Sequence, residues 1–170
     1  CAEQGITTRE GCARSLAEHG WMVVTGAGPG IMEAGMVGAG REMSIGVSIR
    51  LPFETGANPI IAGDEKYVSM RYFFTRKLML VKESHAFVAL PGGVGTLEEL
   101  VEQMTWAQLG RHKKPILILN VDGFWDPLCA LIDHMKKLEF IRGDLSFDLL
   151  RSQPIEPFLQ KGLRRRQRAA

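Results

Sequence analysis

HAFVAL at residues 85–90, followed by PGGVGTLEEL at 91–100, sets an apolar run of strand length directly before three glycines and a helical pattern. That order, strand then glycine-rich turn then helix, is the repeating unit of a parallel α/β sheet. Three further β-branched and apolar runs have the same length: WMVVT (21–25), SIGVSI (44–49) and PILILN (115–120). Segments of helical spacing separate them. Parallel neighbours need long crossovers, and crossover helices cover both faces of the sheet, so near-continuous apolar strands between helices predict a doubly wound parallel sheet. The expectation is a Rossmann-like single three-layer α/β domain over 1–155, with a basic tail at 156–170. The first helix is expected over 8–19, capped by Thr7-x-x-Glu10 and stopped at Gly20. It has no strand ahead of it, so a leading strand, with a loop that contributes to the site, is expected before Cys1.

Composition narrows the class. With 170 residues, 45% of them hydrophobic, the chain can bury one proper core but not comfortably two. No apolar run is long enough to span a bilayer, and the first residues do not read as a secretory signal. Cys1, Cys12 and Cys129 are odd in number and far apart, which suggests neither disulfides nor a zinc site. A cytoplasmic protein without a metal is expected. The net charge of +2 depends on KGLRRRQRAA at the end, and without those ten residues the balance turns mildly acidic. Arg164, Arg165, Arg166 and Arg168 have no interleaved aromatics to stack on bases, so neither nucleic acid nor membrane is expected as a partner.

Two glycine-rich turns carry the chemistry. Thr25 to Glu33, TGAGPGIME, stands where a dinucleotide fingerprint would, but G-x-G-x-x-G requires glycine at position 31 and finds Ile31, with Gly30 one place early. A turn that needs positive φ and a loop that receives an anion are both open there, Gly28 lying at its centre. In PGGVGT, Gly92, Gly93 and Gly95 leave the backbone bare and Thr96 adds a hydroxyl at the mouth of the next helix, but no lysine follows, so this is not a Walker loop. Thr96-x-x-Glu99 fits a capping box as well as a working carboxylate, and spacing does not separate the two. On the helical wheel Leu97, Leu100, Val101 and Met104 are expected in the core, with Glu99, Glu102, Gln103 and Trp106 on the other side. An aromatic on a polar face predicts a second subunit there. MRYFFTRKLMLVKE (70–83) is apolar nearly all round, with Arg71, Arg76 and Lys77 embedded in it. Embedded arginines either meet a carboxylate or phosphate or snorkel to the surface.

Together these residues resemble the Lonely Guy family of cytokinin-activating phosphoribohydrolases, long catalogued as lysine decarboxylase-like. The family's PGGxGTxxE matches Pro91 to Glu99, and its Arg-Lys pair matches Arg76-Lys77, 23 residues before that glutamate. TWAQLG (105–110) and KKPILILNVDGFW (113–125) extend the similarity over most of 21–145. Met70 to Thr75 depart from the plant-type pattern and LPFETGANP (51–59) is similar to a longer bacterial subgroup, which leaves the nucleobase open. The resemblance implies hydrolysis of the N-glycosidic bond of a nucleoside 5′-monophosphate, AMP or a cytokinin riboside monophosphate, to free base and ribose 5-phosphate. It implies Arg76 and Glu99 as catalytic residues. Substrate would be bound by Gly28, Lys77, Gly92, Gly93, Val94, Gly95, Thr96, Glu98 and Thr105, without cofactor or metal, in a homodimer or larger homo-oligomer. A non-catalytic nucleotide-binding or cofactor-carrier protein on the same fold is the alternative. A dinucleotide oxidoreductase ranks below both, because Arg50 follows SIGVSI where an acidic residue would hold the ribose.

Overall fold

Crossover connections dictate how this chain is laid out. The computed structural model describes the backbone of residues 2–50, 56–141 and 148–150, and the side chains of 10–50 and 56–141. The basic tail and the whole LPFET stretch (51–55) lie outside the described residues. The chain divides into two units, Cys1–Ser84 and His85–Ala170, and each has its own parallel sheet.

In the first unit the order is α1 (Ala2–Glu18), β1 (Val23–Thr25), α2 (Ile31–Ala39), β2 (Ser44–Ile49), β3 (Tyr67–Met70) and α3 (Phe73–Glu83). The sheet runs β1-β2-β3, all parallel, with Thr25 opposite Gly46 and Gly46 opposite Tyr67. Gly46 has no room for a side chain, because a Cβ there would stand 2.9 Å from the Tyr67 ring and 3.0 Å from Ala27. Helices α1 and α2 approach closely through small residues: Ala34, Gly35, Gly38 and Ala39 are buried, and a Cβ on Gly38 would collide with the Glu10 carbonyl. Ala27, Met36 and Ile61 form the buried centre, with Ala57, Ile60 and Tyr67 packed against it.

Ile61 belongs to the segment that joins β2 to β3, and polar contacts clamp this segment. Arg41 donates to the Ile60 and Ala62 carbonyls at 2.9 and 3.1 Å, and its Nε pairs with Asp64 at 2.9 Å. Lys66 closes the turn from the other side, donating through both its Nζ and its backbone N–H to Asp64 Oδ1 at 2.9 Å.

In the second unit the order is β4 (Phe87–Ala89), α4 (Val94–Gln108), β5 (Ile116–Leu119), a 3-10 turn (Val121–Gly123), α5 (Asp126–Lys137) and β6 (Asp148–Leu150). The sheet runs β4-β5-β6, again all parallel. All four residues of β5 are buried, as a central parallel strand requires, and Ile116 and Ile118 join Ala89, Leu100, Met104, Trp125 and Ile132 in one core. Asn120 sets the start of α5: its Oδ1 accepts from the Trp125 N–H and its Nδ2 donates to Asp126, both at 2.7 Å.

The parallel, Rossmann-like α/β class is as expected, and the four expected strands form. Two more join them. YVSM is β3, a sheet-edge strand whose Val68 and Ser69 are exposed, so it lacks the continuous apolar run by which the others are read. The three-residue β6 pairs with β5 through its backbone. Helix α1 begins at Ala2, which puts Thr7 inside the helix and not at its N-cap. Helix α3 begins only at Phe73, because Met70 is taken into β3 and Tyr72, in extended conformation, is the N-cap. Nor is α3 buried all round: Phe73, Phe74, Leu78 and Met79 are exposed.

The Asp64 clamp has a pH signature. Lys66, through its side chain and then its backbone N–H, and Arg41 hold the Asp64 carboxyl below its ordinary range. The unfolded chain takes up that proton more readily, so the contribution is fully present above the ordinary carboxylate pKa of about 4 and is lost as pH falls through the lower folded value. Asp64→Asn is expected to lower the thermal midpoint at neutral pH, with the gap to wild type narrowing below pH of about 4. A gap that stays constant across an acid titration followed by circular dichroism would exclude the clamp as its source.

Candidate functional site

The loop between β1 and α2 is short and held on both sides. Thr25 Oγ1 accepts from the Ala27 N–H at 3.1 Å, and Ala27 takes a positive φ of 59°. The Asn58 N–H donates to the Ala27 carbonyl at 2.9 Å, and its Nδ2 donates to the Gly28 carbonyl at 3.2 Å. Asn58 is itself buried, so one side chain of the β2–β3 segment fixes the conformation of the loop. Gly30, at φ 69°, is the N-cap of α2, and no side chain caps that helix. A turn needing positive φ therefore accounts for Gly30 but not for Gly26 or Gly28.

Arg76 lies in the first half of α3 and is only 8% exposed, which rules out snorkelling. Its Nε donates to the Val47 carbonyl on β2 at 2.9 Å. Its Nη2 lies over Gly26, where a Cβ would be only 2.6 Å away. Lys77, the next residue round the helix by about 100°, is half-buried. Arg71 is exposed, its guanidinium 5.5 Å from the centre of the Tyr72 ring. Of the three embedded cations expected from the sequence, the fold buries Arg76 alone.

In the second unit α4 begins at Val94, with Gly93 as its N-cap and no side-chain cap. Thr96 and Glu99 are therefore the third and sixth helical residues, and the capping box does not form: Glu99 is a full turn too far along to reach an N-cap N–H. The three glycines of the loop serve different ends. Gly92 gives way to Thr96, whose Oγ1 a Cβ would strike. At Gly93 and Gly95 no described atom beyond the adjoining residues and the helix's own backbone lies within 4 Å of where a Cβ would be, and neither has a positive φ. Packing and turn geometry thus leave both glycines unexplained, while a ligand brought up to the helix N-terminus would use the bare backbone. No acidic residue occupies the first turn of α4 to offset its positive end.

Gly92, Gly93, Val94, Gly95, Thr96, Glu98 and Glu99 thus gather at one helix end, with Glu99 half-buried and Glu98 exposed. Thr105 does not join them. It is nine residues beyond Thr96, about 14 Å along the axis and half a turn round, and its hydroxyl donates to the Val101 carbonyl at 2.8 Å. The core face of α4 also differs from the expected one. Leu100, Gln103 and Met104 are buried and Ala107 packs with them, whereas Leu97 and Val101 are exposed. Gln103 is drawn inward by His112: the His112 Nδ1 accepts from the Lys114 N–H, so its Nε2 carries the proton that reaches Gln103 Oε1 at 3.3 Å. Trp106 is half-buried and not an exposed ring.

The sequence reading missed Asn58 and the reason for Gly26. A lone Asn between Ala57 and Pro59 is a weak signal, and Arg76 has a backbone carbonyl as an acceptor, which no residue type advertises. Among the described residues no group of three or more His, Cys, Asp or Glu is placed to hold a metal ion, and no helix is long and apolar enough to cross a membrane.

Comparison with known proteins places these residues in a family. Residues 26–152 match the model of a family described as "Possible lysine decarboxylase". The cytokinin riboside 5′-monophosphate phosphoribohydrolase LOG of rice (Oryza sativa subsp. japonica) is 42% identical over 137 residues, covering 77% of this chain and 54% of that protein. LOG3 of Arabidopsis thaliana, which carries the same enzyme name, is 56% identical over 66 residues, 39% of this chain and 31% of its own length. The chain thus spans about half the length of the rice relative and less of the other. Among solved structures, a molybdenum cofactor carrier protein from Chlamydomonas reinhardtii superposes with a TM-score of 0.60 over 95% of this chain and 89% of its own, at 17% identity. That likeness is one of fold. The motif from Pro91 to Glu99 lies inside the matched span, and the chain belongs to the possible lysine decarboxylase family, the Lonely Guy family that its motifs resemble.

Proposed function

We propose that this chain carries the machinery for hydrolysing the N-glycosidic bond of a nucleoside 5′-monophosphate, giving free base and ribose 5-phosphate. One observation carries the proposal: the uncapped N-terminus of α4, with Gly93 and Gly95 bare for no structural reason and Glu99 released from capping. The N–H groups of Gly93, Gly95 and Thr96 suit the 5′-phosphate. As the C1′–N bond breaks, C1′ becomes oxocarbenium-like. Glu99 stabilises that charge and takes a proton from the attacking water, whose hydroxyl goes to C1′, while the departing base gains a proton. The family resemblance adds Arg76, whose planar fork suits phosphate or ribose oxygens, with Lys77 in support. No Schiff-base lysine or pyridoxal-type partner is needed for this chemistry. The names of the rice and Arabidopsis relatives favour a cytokinin riboside monophosphate as substrate.

The second reading, a protein that binds a nucleotide-like group without cleaving it, draws on the fold shared with the cofactor carrier. Incubation with AMP and an N6-isopentenyl adenine nucleotide, followed by chromatography for free base, separates the two. The three widely spaced cysteines fit action in a reducing cytoplasm. Pairing with a second copy is supported by Val94, Leu97 and Val101, which form an exposed apolar stripe along α4.

Glu99→Gln is expected to keep the thermal midpoint and lower turnover by roughly 10²–10⁴-fold. Turnover near that of wild type would remove Glu99 from the mechanism. Arg76→Lys keeps the charge but loses the fork, so binding of AMP is expected to weaken about tenfold, and that of adenosine much less, by calorimetry. Equal losses would show that Arg76 does not read the phosphate. Val101→Asp is expected to shift the protein toward monomer in sedimentation at micromolar concentration, and an unchanged assembly would place the contact elsewhere.

A further inference from the structure

Arg76 is buried, yet its head group lies against the loop that ends β1, so something must provide its seat. The Nε is anchored on the Val47 carbonyl at 2.9 Å, and Nη2 occupies the space where a side chain at position 26 would begin. A Cβ on Gly26 would come within 2.6 Å of that nitrogen, closer than real side-chain contacts allow. The φ of Gly26 is not positive, so an alanine there strains no backbone torsion. The conflict is wholly one of space.

Neither wall of the seat yields easily. On the loop side, Asn58 holds the Ala27 and Gly28 carbonyls and Thr25 holds the Ala27 N–H. On the arginine side, moving the guanidinium stretches a charge-assisted bond in a buried place, where losing an acceptor is costly. Met32 is the other neighbour, with its Sδ 2.9 Å from the same Cβ position, but it is an exposed, flexible side chain that can swing out. The displaced group would be the guanidinium.

We propose that Gly26 is a positioning residue, conserving by its missing side chain the space in which the Arg76 guanidinium is aimed. This rests on the reading of Arg76 as a ligand for the nucleotide. Gly26 does not touch the reacting atoms in this scheme. It acts through Arg76, so its replacement affects what Arg76 recognises and leaves the rest of binding alone.

A double-mutant cycle tests it, with Gly26→Ala made in the wild-type protein and in Arg76→Met, where the head group is absent. AMP and adenosine affinities and thermal midpoints are measured for all four proteins. In the presence of Arg76, Gly26→Ala is expected to weaken AMP binding about tenfold, to spare adenosine, and to lower the midpoint. In the Arg76→Met background the same substitution is expected to change neither AMP affinity nor midpoint appreciably. Equal effects in both backgrounds would overturn the proposal, since the methyl would then act without Arg76. If Arg76→Met itself leaves AMP binding unaltered, the nucleotide role of Arg76 fails and the positioning role with it, while coupled midpoints would show that the seat alone is real. Should Gly26→Ala not fold, recovery of folding by adding Arg76→Met supports the proposal and continued failure overturns it.

Discussion

A guanidinium withdrawn from water must be met by fixed acceptors, and in the first unit that requirement organises the surroundings. Arg76 finds the Val47 carbonyl, and a hydrogen bond of this charged kind contributes about 1.5–3 kcal/mol, while stranding the charge would cost more. Meeting it needs a strand carbonyl at the right height, a loop without a side chain at Gly26, and a loop that does not drift. The last is the work of Asn58, and Asn58 is placed by a segment that Arg41, Asp64 and Lys66 clamp shut. A series of ordinary contacts ends at the aim of one arginine.

The second unit meets a different constraint. Its glycine-rich turn leads from a strand to a helix whose first N–H groups no side chain caps, and the backbone there is left bare at Gly93 and Gly95. An uncapped helix end in a protein is normally a minor cost to stability, and it becomes useful when an anion supplies the missing acceptors. Glu99, one turn further in, is too far along the helix to cap it.

Family membership and fold pull in related directions. The relatives named as phosphoribohydrolases carry the match in sequence, and the cofactor carrier shares the architecture at 17% identity. A parallel α/β sheet presents loops and helix ends to a ligand whether or not the ligand is cleaved. Fold alone therefore does not separate holding from cleaving, and the proposed role of Glu99 is decided by activity measurements made with that residue intact and altered.

The parallel α/β class was legible from four apolar runs, since a central strand such as ILIL shows its burial on both faces in its own composition. The edge strand YVSM was not, because an edge half open to solvent has no such run. Motif spacing also singled out Arg76, Glu99 and the glycines of both loops. Spacing could not choose between a cap and a working carboxylate at Glu99, for the choice depends on where the helix starts, and it starts at Val94, three residues earlier than a capping box at Thr96 allows. The wheel of α4 misplaced Leu97, Val101 and Gln103 because hydrophobicity ranks side chains one at a time, whereas His112, from beyond the helix, draws Gln103 inside. The sequence by itself determined the class of fold and which residues are candidates for the chemistry, because strand periodicity and residue type are local properties. Only the tertiary structure decided that Arg76 is buried on a backbone carbonyl and that Gly26 makes room for it, because both are contacts between segments distant in the chain and one partner has no side chain to read.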